Sequence, residues 1–320
     1  MDLVADIGAT NARFQLCLNG VLQGEPSILP TQDYQSGSAL LADARKSLPT
    51  TSLGTALLAV AGPVTSVDQA QITNTGLVID RADASTVLAC ETRLVNDFFA
   101  LAHGVPHFSQ LEQLGGEPPL PLTKALLGPG SGLGMATLIR LSQVIAGVTS
   151  EWQVLASEGG HADLAPGSHL EAELWGVLMQ QHQHVSWETV LSGRGLQHLY
   201  AAMCSLWGMQ PADLSPADIT NLGQDMSDPV CHQTLETFCA LLGAAAGNLA
   251  VTVAARGGVY IGGGIVSRML DFVRASQLRR RFEERGAMAD FVKPMPIMVV
   301  TESEPGLIGA AQCLQVSTLT

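Results

Sequence analysis

Asn96 and Asp97 close an apolar, strand-like run formed by Thr92, Arg93, Leu94 and Val95. A strand that ends on polar residues projects them from the edge of a sheet, where ligands bind in α/β proteins. An aspartate is ionised near neutrality from its reference pKa of about 3.9, so Asp97 can accept a proton from a hydroxyl or orient it. Capping of the helical-looking stretch 98–102 is an equally legal use of the same residue. Glu158 and His161 flank the flexible pair Gly159 and Gly160, and Glu188 precedes the turn-like Ser192 and Gly193. Carboxylates and an imidazole suit vicinal hydroxyls, with loose surface charges as the plain alternative. His182 and His184 invite a metal reading, but no third ligand is evident and no His-Glu-x-x-His occurs, so they read as a solvated helix end.

Three glycine-bearing turns suggest phosphate chemistry. In residues 6–11, Gly8 and the small Ala9 let backbone approach an anion, Thr10 and Asn11 supply short hydrogen-bonding side chains, and Asp6 can hold a magnesium shell. An ordinary polar hairpin turn has the same composition. In residues 128–134, Gly130 and Gly132 bracket Ser131, offering backbone N–H groups and a hydroxyl to phosphates. The glycines there alternate and a strand follows, whereas the dinucleotide fingerprint needs a helix. No G-x-x-x-x-G-K-[ST] exists and the lysines are Lys46, Lys124 and Lys293, so a P-loop is excluded and a nucleotide would rest on backbone and metal. Gly262, Gly263 and Gly264 follow the strand-like Val259, Tyr260 and Ile261 and precede a helical-looking stretch, 265–273. They present bare backbone for a nucleotide to slide across, or else a tight structural turn.

These groups need elements to hold them. Strand-length apolar runs occupy 3–5, 12–18, 55–61, 92–95, 259–261 and 297–300, and helical patterns cover 169–180, 193–207, 229–255 and 306–314. Aligning Gly8 with Gly130 superposes apolar run, glycine turn and apolar run, an internal duplication that implies two related lobes. The Pro/Gly-rich segment 115–121 is the candidate boundary. Within 229–255, Ala240, Gly243, Ala244 and Gly247 fall at i, i+3, i+4, i+7, spacing that lets another backbone approach. Asn248 and Thr252 interrupt this stretch, so it reads as a buried helix and not a membrane span.

With 320 residues, 47% of them hydrophobic, the chain can bury two cores. A formal net charge of −13 argues against nucleic acid or anionic lipid as partner. The six cysteines, at 17, 90, 204, 231, 239 and 313, show neither Cys-x-x-Cys nor zinc spacing and read as reduced core residues. The opening residues lack a basic n-region and an apolar h-region, so they read as a strand, and a cytoplasmic location is expected.

In order and spacing the chain resembles the bacterial glucokinases of the sugar kinase superfamily. The resemblance rests on residues 6–13, Ala61-Gly62-Pro63, residues 94–98, 128–134, 158–163 and 188–193, Gly262-Gly263-Gly264-Ile265, and residues 305–309. It implies an α/β, two-lobed actin-like ATPase (ribonuclease H-like) fold: a smaller α/β lobe, 1–108 plus 301–320, and a larger α-rich lobe, 109–300, with glucose and ATP in the cleft. It further implies that Asp97 is the general base on the 6-hydroxyl and that Asn96, Glu158, His161 and Glu188 hold the other hydroxyls. Asp6, Gly8, Ala9, Thr10, Asn11, Gly130, Ser131 and Gly132 would face the phosphates, and Gly262, Gly263 and Gly264 the adenosine. Asp6 would organise Mg2+ through water, and the enzyme would be a homodimer. Ala9 stands where glycine is common, Ser131 where threonine is usual, and Leu77 where an aromatic tends to follow the position of Asn74. A kinase for another hexose is the nearest rival. A non-catalytic sugar sensor is the other, against which stand the acidic charge and the hairpin beginning at residue 2.

Overall fold

The computed structural model describes residues 1–49, 52–62, 64–66, 68–73, 75–141 and 151–316. Asn74 and Pro63, both part of the family resemblance, lie outside them. In chain order the elements begin β1 (Asp2–Ile7), β2 (Asn11–Leu18), β3 (Val21–Pro30), α1 (Gly37–Ser47), β4 (Thr55–Val60), β5 (Val64–Ser66), β6 (Gln69–Gln71), β7 (Val78–Asp80), α2 (Arg81–Leu88), β8 (Glu91–Asn96) and α3 (Asp97–Gly104). There follow β9 (Leu111–Gln113), β10 (Lys124–Pro129), β11 (Leu133–Arg140), β12 (Trp152–Ser157), α4 (His169–Leu178), α5 (Gly193–Leu206), α6 (Pro216–Gln224) and α7 (Pro229–Val253). The last are β13 (Val259–Ile261), α8 (Gly264–Ser267), α9 (Leu270–Ala275), α10 (Leu278–Glu283), α11 (Ala289–Val292), β14 (Ile297–Val300) and α12 (Pro305–Leu314). The chain divides into two compact units: Met1–Gln110 with Arg140–Ala156 and Glu302–Thr320, and Leu111–Ile139 with Ser157–Thr301.

In the first unit the sheet order is β3-β2-β1-β4-β8. Successive side chains of a strand point to opposite faces, and here the alternation sorts the apolar residues into two cores. Leu3, Ala5 and Ile7 of β1, with Ala56, Leu58 and Val60 of β4, join Leu40, Leu41 and Ala44 of α1 and Leu88 of α2. Val4, Leu57 and Ala59 face the other way, onto Leu307, Ala310 and Ala311 of α12 and Ala100 of α3. The helix α12 crosses α3 closely: a Cβ on Gly309 would strike the carbonyl of Ala100. Leu77 is buried in the first of these cores, which places it in packing.

In the second unit β11-β10-β13-β14-β9 lie side by side. The pairing from β2 through β1, β4 and β8 is antiparallel, parallel, parallel. The same succession runs from β11 through β10, β13 and β14. The duplication read from Gly8 and Gly130 is therefore present as topology, and both turns are the same length, residues 8–10 and 130–132. Helix α7 forms the centre of this unit, its side chains sharing one core with α4, α5, α6 and α10. A Cβ on Gly243 would overlap the carbonyl of Leu278, and one on Gly247 would meet that of Phe282, so the small-residue stripe is where α10 lies against α7. Among the described residues α7 is the one helix long and apolar enough to cross a membrane, and 67% of its apolar window is buried inside the protein.

Two elements depart from expectation. The stretch 265–273 is not one helix: α8 stops at Ser267 and α9 begins at Leu270, so the glycine triplet leads into a single turn. His182 is not simply solvated, since its ring packs on that of His198 with centroids 4.7 Å apart.

Candidate active site

In the first unit the parallel strands β1, β4 and β8 end together, with Ile7, Val60 and Asn96 in successive pairings. This row sets the candidate residues at one carboxyl edge. Asn96 caps α3, its Oδ1 accepting from the N–H groups of Phe98 and Phe99 at 2.9 and 3.0 Å, while its Nδ2 donates to Gly62 O at 3.2 Å. The capping role left open for Asp97 thus falls mainly to its neighbour. Asp97, the first residue of the helix, is half-buried and accepts from the Phe98 N–H at 2.8 Å. Burial, reinforced by the charge of Asp6, pushes its carboxyl up to about 7. Asp6 is likewise raised by burial; Arg13 opposes the shift and Glu304 adds to it.

Arg13, opposite Asp6 in the β1–β2 register, pairs with Glu304 at 2.9 Å. Gly306, at the start of α12, lies so close to Asp6 that a Cβ there would overlap its carboxylate. The glycine turn after β1 is closed by Gly8 N–H donating to Asn11 O at 3.0 Å. It is also buttressed by the fully buried Thr31, whose hydroxyl donates to Gly8 O at 2.8 Å and whose N–H donates to Thr10 O at 2.9 Å. Thr31, Arg13, Glu304 and Gly306 were not among the sequence candidates as supports for this edge. Only the Arg13 and Gly306 positions fell inside quoted motifs, and nothing local signals that residue 304 returns to residue 6.

In the second unit the candidates converge on the turn between β10 and β11. Gly130 N–H donates to Gly132 O at 2.8 Å, and Gly193 N–H donates to Gly130 O at 2.8 Å. Gly263 takes φ +90°, a conformation that glycine adopts without penalty, and a Cβ on it would collide with the carbonyl of Pro129. The triplet and the turn are therefore neighbours, with Gly262 N–H bonded to Leu127 O at 2.9 Å. Glu158 and His161 are exposed on a short turn closed by the His161 N–H donating to Glu158 O at 3.0 Å. Glu188 is half-buried; its N–H donates to Gly160 O at 2.8 Å, and its Oε2 accepts from the Leu133 N–H at 2.8 Å.

These residues divide into two sets. Asp6, Gly8, Ala9, Thr10, Asn11, Asn96 and Asp97 belong to the first unit, and Gly130, Ser131, Gly132, Glu158, His161, Glu188 and Gly262 to Gly264 to the second. Asp6 is a single partly buried carboxylate with Asp97 and Glu304 near it, an excess of negative charge that Arg13 only partly offsets. Such a donor suits a hard divalent cation held through water. Among the described residues no group of three or more His, Cys, Asp or Glu forms a direct metal cage.

The duplicated α/β sheet, with one glycine turn after β1 and another after β10, has the fold of the actin-like sugar kinases. The comparisons with known proteins agree. A solved glucokinase from an Antarctic psychrotroph superposes with a TM-score of 0.81 at 36% identity, covering 98% of both chains. A ROK family glucokinase from Streptomyces griseus, solved with glucose and AMPPNP, shares the fold at 18% identity and a TM-score of 0.63, covering 98% of both. A glucokinase of Hahella chejuensis is 37% identical over 318 residues, covering 98% of this chain and 96% of its own. The glucokinase family model matches residues 3–317, and this chain belongs to the glucokinase family.

Proposed function

We propose that this enzyme transfers the γ-phosphoryl group of ATP to the 6-hydroxyl of glucose, with Asp97 as general base. Family membership supports the reaction. The observation that carries the assignment of the base is the placement of Asp97 at the end of β8, where burial and Asp6 bring its pKa to about 7. A base works best when its pKa lies near the operating pH, because it is then both available and strong enough to take the proton.

Asp97 orients the 6-hydroxyl and receives its proton as the oxygen bonds to phosphorus and the bond to the departing ADP breaks. Phosphoryl transfer passes through a loose transition state, so most of the rate comes from positioning and charge stabilisation. Asn96, Glu158, His161 and Glu188 hold the remaining hydroxyls. A sugar lacking a matching hydroxyl leaves one of these groups unpaired, which is the physical basis of selectivity. The turns 8–11 and 130–132 present backbone N–H groups to the phosphates, and Gly262, Gly263 and Gly264 leave room for the adenosine. When bound, Mg2+ would neutralise phosphate charge, and Asp6 is the residue that would hold its water shell. By the same family reading the enzyme is a cytoplasmic homodimer, a state that light scattering on the purified protein tests.

The deciding measurement is ADP release with MgATP across glucose, mannose, fructose, glucosamine and N-acetylated sugars. Glucose should give the highest kcat/KM; silence with every sugar would defeat the proposal, and preference for another would move the acceptor within the same fold.

A further inference from the structure

Glu188 has one carboxylate oxygen committed away from any sugar. Its Oε2 accepts the Leu133 N–H at 2.8 Å, at the residue where β11 leaves the turn 130–132. Gly132 lies against the same oxygen, so closely that a Cβ there would need the carboxylate to move. The backbone of Glu188 is fixed on both sides: its N–H bonds Gly160 O at 2.8 Å, and its carbonyl accepts from the Ser192 hydroxyl at 3.1 Å. One residue beyond Ser192, Gly193 donates to Gly130 O at 2.8 Å. The turn carrying Glu158 and His161, the segment 188–193 and the glycine turn are therefore one hydrogen-bonded unit with Glu188 at its centre.

We propose that Glu188 is a positioning residue for the nucleotide as well as a ligand for the sugar: through Oε2 it sets the Leu133 N–H and the turn 130–132 in the shape that receives phosphate, leaving Oε1 for a sugar hydroxyl. This rests on the reading of that turn as phosphate-facing. A carboxylate bond to a backbone N–H is among the stronger hydrogen bonds, and losing it frees the turn to sample other conformations. Nucleotide affinity then depends on a side chain that never meets the nucleotide.

The test is calorimetric titration of AMPPNP with Mg2+ into wild type, Glu188→Gln and Glu188→Ala, without sugar, followed by glucose titration of each. Glu188→Gln keeps an acceptor for the Leu133 N–H through its amide oxygen, so nucleotide affinity should stay within about twofold of wild type while glucose affinity falls. Glu188→Ala should lose about tenfold or more in nucleotide affinity, and amide exchange at Leu133 should accelerate in the ligand-free protein. Unchanged nucleotide affinity and Leu133 exchange in Glu188→Ala would overturn the proposal, as would equal nucleotide losses in both variants. A wild type that binds no AMPPNP would instead overturn the kinase reading itself.

Discussion

At the scale of single residues, the catalytic role proposed for Asp97 carries a penalty in stability. Its carboxyl is raised to about 7 by burial and by Asp6, so the folded protein binds a proton there that the unfolded chain has released across the interval between about 4 and 7. Stability from this group is present at acid pH and is lost as pH rises through 7. Asp97→Asn keeps the shape and removes the charge, so its melting temperature should exceed that of wild type at pH 8 and the gap should shrink towards pH 5. The same variant should lose about 10²- to 10⁴-fold in kcat with a much smaller change in glucose affinity. In the wild type, kcat/KM should fall about tenfold per pH unit below pH 7, as the base becomes protonated. A pH-rate profile flat from 5 to 8 would remove Asp97 from that role. Asp97 was legible in the sequence because residue type and strand end are local signals. Thr31, Arg13 and Glu304 were not recognisable as supports, since their partners lie far along the chain and only the sheet order brings them in.

At the scale of elements, the same distinction decides what could be read ahead. The stripe on α7 announced a close backbone crossing, because small residues at helical spacing have that geometric meaning whatever the partner is. That the partner is α10 could not be read, since 278–283 carries three arginines and looks like a solvated helix. Its Arg281 is in fact buried, in a two-oxygen pair with Glu171 of α4 at 2.9 and 3.0 Å. Strand β3 also escaped notice: it is an edge strand with no fully buried residue, so its side chains need no apolar alternation. Two stability predictions belong here. Gly243→Ala forces a methyl into the Leu278 carbonyl and should cost about 1–3 kcal/mol in urea unfolding. Glu171→Ala removes one of the two carboxylates on the buried Arg281 guanidinium, leaving Glu284 at 2.8 Å, and should cost about 1.5–3 kcal/mol, whereas a loss below about 1 kcal/mol would mean that Glu284 alone satisfies the charge.

At the scale of the whole molecule, one architectural unit occurs twice and is put to two uses. The antiparallel-parallel-parallel succession builds both sheets, yet the first turn is followed by Asn11 and flanked by acids, while the second is tied to Glu188 and the glycine triplet. On the proposed function both turns offer backbone to an anion, on a molecule whose formal charge is −13. The long-range field therefore opposes the approach of MgATP, which is itself anionic, and leaves glucose, which is neutral, unaffected. Attraction must come at short range, from oriented N–H groups and a bound cation, where screening is weak. Raising ionic strength from about 10 to 150 mM shortens the screening length from about 30 to 8 Å. The prediction is that kcat/KM for MgATP rises severalfold over that interval at saturating glucose, while kcat/KM for glucose at saturating MgATP stays nearly constant. A fall in the nucleotide term with added salt would show that positive side chains, and not backbone and metal, draw the phosphates in.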